Sequence, residues 1–211
     1  MAGKELNGQQ FGPWIRPVNS RNKNAISDSD RRYKGGHLAT VLDILSVPLV
    51  RHCPSGHQKE NYEIQVGEPW VKKSNATWAQ IEKATDSNAV GLWGKGISSR
   101  FGHNDKVPAA IAQKLNHSLL LIKPAMCELL VLNELAYGGG TKKRVRVGFL
   151  FNGVRYNFVV SDPWVSASYP NLGKYRIPKS RLCISLSEVL NGYAIKLGAA
   201  VITPDRVDEN E

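Results

Sequence analysis

The chain has 211 residues, 42% of them apolar and 22% charged, with 28 Lys and Arg against 18 Asp and Glu, a formal net charge of +10. A chain of this length buries roughly 70% of its unfolded surface without disulfide staples, and the apolar content and aperiodic Gly and Pro exclude a disordered or collagenous chain. No apolar run approaches the roughly 20 residues of a membrane span, the N-terminus has no hydrophobic signal region, and Cys53, Cys127 and Cys183 are spaced too irregularly for a disulfide framework, so a cytoplasmic protein without membrane association is expected. The sequence pI of about 9.6 makes nucleic acid the first partner to test, although acidic proteins attract the same charge.

In chain order, Phe11–Val18 alternates bulky and polar residues between two prolines and reads as an edge strand or its lead-in. The polar stretch 19–36 reads as a loop with a short helical turn at Asp28–Tyr33, acidic at its start and basic at its end. Leu38–Val50 predicts one or two strands bent at Pro48, with Tyr62–Val66 beside them. Within 74–89 a Ser or Asn cap precedes Trp78, Ile81 and Ala84 at spacings of three, which predicts one short helix. The segment 91–107 reads as a long Gly-rich loop.

The last third reads as β structure. Strands are predicted at 118–122, 127–135, 142–150 and 154–160, with a turn at 137–140 and a tight hairpin at Asn152-Gly153. Ser161-Asp162-Pro163 ends the last of these, its Asp side chain capping nearby N–H groups. Residues 182–186 and 193–202, flanking Leu190-Asn191-Gly192, supply two more strands or a strand and a turn. Short strands separated by Gly, Asn and Pro suggest small barrels rather than a parallel sheet.

Particular strings then narrow the reading. Gly12-Pro13-Trp14-Ile15-Arg16-Pro17-Val18, Leu42-Asp43-Ile44, and His57-Gln58-Lys59-Glu60-Asn61 resemble the first half of the prokaryotic dual OB-containing domain family. Ser161-Asp162-Pro163-Trp164, Cys183-Ile184-Ser185-Leu186-Ser187, Gly192-Tyr193 and Lys196-Leu197 resemble its second half. The resemblance implies a mostly β fold with minor α, two OB-like small barrels in tandem, oligonucleotide binding, and an association with prokaryotic conflict or antiviral defence systems. The expected layout is a first barrel over 1–74, a helix and long-loop connector over 75–116, a second barrel over 117–206 and an acidic tail over 207–211. The family pattern opens with a strand carrying a small-Ser-x-Lys string and a Cys-x-Ala-Gly turn. Here that region begins near its end, at Ala2-Gly3-Lys4, so the first barrel is expected to lack its opening strand, which a partner, a rearranged edge or residues lost to start-site choice would complete.

OB barrels stack bases on aromatic rings in a basic groove. Trp14 and Arg16, two apart on a strand, offer a ring beside a guanidinium; the alternative is a core tryptophan with Arg16 paired to Asp43 or Glu60. Lys142, Lys143, Arg144 and Arg146 form the densest basic run, near Tyr156 and Phe158 of the return strand. Lys142, Arg144 and Arg146 are expected on one face, extended by Arg155 and Asn157, as the best phosphate contacts. Arg31, Arg32 and Lys34, and Lys72 with Lys73, are weaker patches that also read as solvated loops. His52, Cys53 and His57 make at most half a zinc site, and no second pair completes it. His57, Gln58, Glu60 and Asn61 read as a buried polar loop. Gly91–Gly96 does not match a phosphate loop. No catalytic residue, metal or cofactor is assigned. The leading expectation is non-enzymatic binding of single-stranded or structured DNA or RNA. The alternatives are a subunit docking an ATPase, helicase or nuclease in a multi-protein complex, and a metal-dependent nuclease using Asp43, Glu60 and Asp162.

Overall fold

Alternating apolar residues build strands throughout the chain, whose computed structural model describes residues 1–135 and 138–209. It divides into two compact units, one comprising residues 1–84, 116–118 and the segment from Val207, the other residues 85–115 and 119–206.

The first unit contains β1 (Gly3–Asn7), β2 (Gln10–Val18), β3 (Asp43–Ser46), β4 (Leu49–His52), β5 (Asn61–Ile64), β6 (Val71–Asn75) and α1 (Trp78–Ala84). Its main sheet has the order β1-β2-β5-β4, with β2 and β5 parallel, while β3 pairs β6. Three expectations are corrected here. β2 is not an edge, because the short polar segment Gly3–Asn7 forms a strand against it, Lys4 opposite Trp14 and Leu6 opposite Phe11. The helical turn expected over 28–33 stops at Arg31, whose N donates to Ser27 O (3.3 Å): the Asp30 carboxylate accepts hydrogen bonds from Ser27 N (2.9 Å), Ser27 Oγ (2.7 Å) and Asn19 Nδ2 (3.1 Å), and Arg32 and Tyr33 pair with other segments. The bend predicted near Pro48 falls between β3 and β4. α1 opens with a reciprocal cap, Gln80 N donating to Thr77 Oγ1 (3.3 Å) and Thr77 N to Gln80 Oε1 (2.9 Å), so the cap is Thr77 rather than Ser or Asn. Trp70, Ala39 and Ile64 form its small core.

The second unit contains β7 (Lys106–Pro108), α2 (Ala109–Ala112), β8 (Leu119–Ile122), β9 (Met126–Leu135), β10 (Thr141–Phe151), β11 (Val154–Val160), α3 (Pro163–Ser168), β12 (Gly173–Arg176), β13 (Arg181–Leu186) and β14 (Tyr193–Ile202); α4 (Pro204–Asp208) follows. The strand order is β12-β9-β10-β11-β14-β13-β8, with β7 on β14. β11 and β14 run parallel, whereas β10–β11 and β14–β13 are antiparallel. This succession repeats that of β1-β2-β5-β4. The sheets do not close into barrels among the described residues. β12 covers the outer edge of β9 and β8 that of β13, so the two edges that closure would join are occupied by other strands.

At the β10–β11 turn, Asn152 and Gly153 both adopt positive φ (48° and 76°), the two-residue geometry that matches strand twist. Val147 opposite Phe158 and Phe149 opposite Tyr156 carry the core across the hairpin, with Phe149 and Phe158 edge to face at 5.1 Å. The segment before β7 is long, as expected, but Leu92 and Trp93 anchor it in that core. The predicted turn at 137–140 falls partly outside the described residues, at Tyr137, as does the end of the acidic tail.

Lys196 of β14 fastens the same segment from inside. It is wholly buried, and its Nζ donates to Gly94 O (2.6 Å) and Asn104 O (2.8 Å) above the Tyr156 ring, 5.4 Å from its centroid. Burial lowers its pKa to about 8, against the opposing pull of Asp105. The unfolded chain keeps the lysine proton up to about 10.4, so between about pH 8 and 10.4 unfolding takes up a proton and stability from this group rises with pH. Lys196→Met removes that rise. Parallel denaturant titrations should find the variant's deficit relative to the parent larger at pH 10 than at pH 7 by about 2–3 kcal/mol; an unchanging deficit would mean that the buried amine keeps its proton.

Candidate nucleic-acid interface

The β9–β10 hairpin outruns its neighbours. β9 and β10 remain paired from Leu132 opposite Arg144 to Leu135 opposite Thr141, whereas β11 pairs with β10 only from Arg146 onward and β12 pairs with β9 only up to Val131. Residues 132–135 and 141–144 therefore form a two-stranded ribbon. Lys142, Lys143 and Arg144 on it are exposed. Alternation puts Lys142 and Arg144 on one face and Lys143 on the other, where its Nζ donates to Pro170 O (2.9 Å).

Arg146 does not join them, which corrects the expected phosphate-binding set. It is only 4% exposed and its guanidinium is bonded to the buried Glu134 carboxylate, Nη2 to Oε2 at 3.1 Å and Nε to Oε1. The register sets Glu134 opposite Lys142, yet the carboxylate belongs to Arg146. Lys142 and Arg144 consequently have no ion-pair partner among the described residues, and the run carries its positive charge into solvent. Burial explains the difference: an Arg with a carboxylate in reach can leave water, whereas its exposed neighbours stay solvated.

β12, which composition did not mark as a strand, lies against β9 and adds Lys174 opposite Leu130 and Arg176 opposite Glu128, on the face that carries Arg144. Lys174 also pairs with Glu128 at 2.8 Å. The signal was present as Lys174-Tyr175-Arg176, alternating basic with an aromatic residue that packs on Tyr169 at 5.0 Å. Arg155 is exposed on this face too, but opposite Leu150 near the far end of β10. Tyr156 and Phe158 point into the core and provide no stacking surface beside the basic run. Among the described residues no Phe, Tyr or Trp is fully exposed, while Trp14, Tyr169 and Tyr175 are half-buried.

The other candidates lie in the first unit. Trp14 is half-buried, with the Lys4 ammonium 5.7 Å from its ring centroid. Arg16 Nη2 donates to Ser118 Oγ (2.9 Å), and Ser118 in turn donates to Glu60 through Oγ (2.9 Å) and its backbone N (2.5 Å). β2 and β5 thus bring the Trp-Ile-Arg-Pro and Glu-Asn strings together in register, Arg16 beside Asn61. His57, Gln58, Glu60 and Asn61 are all buried. Arg31 pairs with Asp28 (2.7 Å) and donates to Ala39 O (2.8 Å), Arg32 donates to Gly36 O (2.9 Å), and Lys72 pairs with Asp43 (2.6 Å). Lys73 and Lys34 are exposed.

The carboxylates considered for nucleolysis are each engaged locally. Burial pushes the Asp43 carboxyl up, but hydrogen bonds from Lys72, Tyr33 and Thr40 outweigh it and hold it below the usual range. Asp162 caps α3 through Trp164 N (3.2 Å) and binds the buried Arg206 guanidinium at 2.5 Å. His52 Nε2 contacts Lys59 O at 2.6 Å, and no cluster of three His, Cys, Asp or Glu suited to a metal occurs among the described residues. The Gly91–Gly96 stretch leads into no helix at its end.

Residues 1–201 match the model of a protein family described as the dual OB-containing domain. No curated protein and no solved structure matches the chain.

The Arg146–Glu134 pair gives a direct test of the ribbon's construction. Arg146→Met leaves a buried carboxylate unpaired and should cost about 3–5 kcal/mol, while the Arg146→Met, Glu134→Leu double substitution should recover most of it. Urea midpoints measure both; equal losses in the single and double variants would show that the cost lies in losing Arg146 itself and not in stranding the Glu134 charge.

Proposed function

The chain belongs to the dual OB-containing domain family, and from that premise we propose that it is a non-enzymatic nucleic-acid-binding protein, acting as an accessory component of a prokaryotic defence or conflict system. The strand order supports the OB reading. β9, β10 and β11 meander, α3 follows, and β13 and β14 return so that β14 lies parallel to β11, the order of a five-stranded OB barrel; β1-β2-β5-β4 follows the same course from the second strand onward. In that scheme the β9–β10 connection is the loop between strands one and two, a part of the OB fold that contacts oligonucleotides.

The observation that carries the reading is the exposed Lys142, Lys143 and Arg144 at this loop, with Glu134 withdrawn from them. Lys174 and Arg176 extend the positive surface along β12. Contacts of this kind are to phosphates, so binding is weakly sequence-selective and salt-sensitive. The absence of chemistry in the proposal is supported by the local partners of Asp43, Glu60 and Asp162. A second reading, a subunit that docks a protein partner, is supported by the outer edge of β1, which pairs with no further strand among the described residues.

Fluorescence anisotropy with the Lys142→Glu, Arg144→Glu variant tests the first reading. It should weaken binding by about tenfold or more, alike for unrelated sequences, and reduce the slope of log K against log salt by about 2. Unchanged affinity would move the site elsewhere, and no binding by the parent at low salt would favour the docking subunit.

A further inference from the structure

The segment that leads into β7 carries a second, smaller site; this inference rests on the nucleic-acid reading above. Residues 94–105 are fixed on the second unit by their own polar groups. The Asp105 carboxylate, 2% exposed, accepts hydrogen bonds from Ser99 N (2.7 Å) and Ser99 Oγ (2.5 Å), and Ser99 Oγ accepts one from Gly102 N (3.1 Å). A side chain at residue 102 would collide with that carboxylate, so glycine lets the turn close over it. Beyond the turn, His103 exchanges both backbone hydrogen bonds with Asn157 of β11 (3.1 and 3.0 Å), Asn157 Nδ2 donates to Phe101 O (3.4 Å), and Asn104 Nδ2 donates to Arg155 O (2.8 Å).

The turn presents a ring and a cation together. The Arg100 guanidinium lies over the half-buried Phe101 ring, 5.0 Å from its centroid. Direct pairing puts His103 on the face of β11 that carries Asn157, and alternation adds the exposed Arg155 to the same face. The one acidic residue of the segment, Asp105, is turned inward to Ser99, so the positive charge of Arg100 and Arg155 faces solvent. An aromatic face beside guanidinium groups recognises an unpaired base with its phosphate: the base stacks on the ring and the cation meets the backbone. A base inside a duplex has both faces covered by its neighbours and cannot use such a surface. We propose that Phe101, with Arg100, is a stacking platform for an unpaired base of the bound nucleic acid, and that Arg155 contacts the adjoining phosphate.

The full chain is titrated at one salt concentration into a labelled blunt DNA duplex, the same duplex with a short single-stranded overhang, and the same duplex with an abasic overhang of equal length. The two overhangs carry the same phosphates, so their difference reads the bases alone. The base-bearing overhang should bind at least about fivefold more tightly than the abasic one. Phe101→Leu, with circular dichroism to confirm its fold, should abolish that advantage while leaving the affinity for the blunt duplex unchanged, and Phe101→Trp should keep it. Equal affinity of the parent for the two overhangs, an advantage that Phe101→Leu retains, or an equal loss on all three probes in that variant overturns the platform while leaving the nucleic-acid reading in place. Absence of binding by the parent to every probe overturns the nucleic-acid reading itself.

Discussion

Glu134 and Arg146 form a buried pair on adjacent strands of the second unit, and the electrostatics of the β9–β10 arm depend on it. A carboxylate on β9 opposite Lys142 would ordinarily neutralise that lysine across the strands. Held by a guanidinium four residues farther along β10, it is withdrawn from solvent, and the three exposed cations at the end of the hairpin keep their charge. Burying two charges is costly unless each satisfies the other. The pair is therefore better understood as a device that separates a neutral, buried section of the strands from a charged, solvated one than as a source of stability.

The rest of the second unit keeps those strands rigid below the arm. The Phe149, Tyr156 and Phe158 rings pack on one another, and Lys196 stands among them, tying the Gly94–Asp105 segment to β14. Asp162 and Arg206 form another buried pair, with the guanidinium 4.5 Å from the Trp164 ring centroid and bonded to Val201 O at 2.7 Å, which fixes the end of β14 to the start of α3. The family strings Ser161-Asp162-Pro163-Trp164 and Lys196-Leu197 thus have structural work, and the basic residues that carry the proposed function lie outside them. In the first unit the same division holds: Arg16 is engaged through Ser118 with Glu60, within the strings that identify the family.

Much of this was legible in the residues. Asn152-Gly153 fixed a turn because both positions need positive φ, and the strict alternation on either side fixed β10 and β11. The basic run was legible too, but its surroundings were not: it was expected beside Tyr156 and Phe158, whereas β11 pairs with β10 only from Arg146 onward and residues 142–144 lie against β9. The fate of Arg146 was not, since alternation assigns a face but cannot tell that a carboxylate from another strand lets a charged side chain be buried there. β1 and β12 were missed because Gly3–Asn7 and Gly173–Arg176 have few apolar residues and are strands by virtue of their neighbours' unpaired backbone groups. Closed barrels were expected from strand count and turns, which carry no information about the edge strands β8 and β12 that leave the sheet open.

Nucleic acid is proposed to bind at the end of the β9–β10 hairpin, with β12 beside it. Amide chemical-shift mapping of the isotope-labelled chain during titration with duplex DNA tests it most directly. Shifts should concentrate in residues 132–135, 141–144 and 173–176 and grow weaker as salt is raised. Shifts concentrated instead around Trp14 and Arg16 on β2, with the hairpin unmoved, would contradict it.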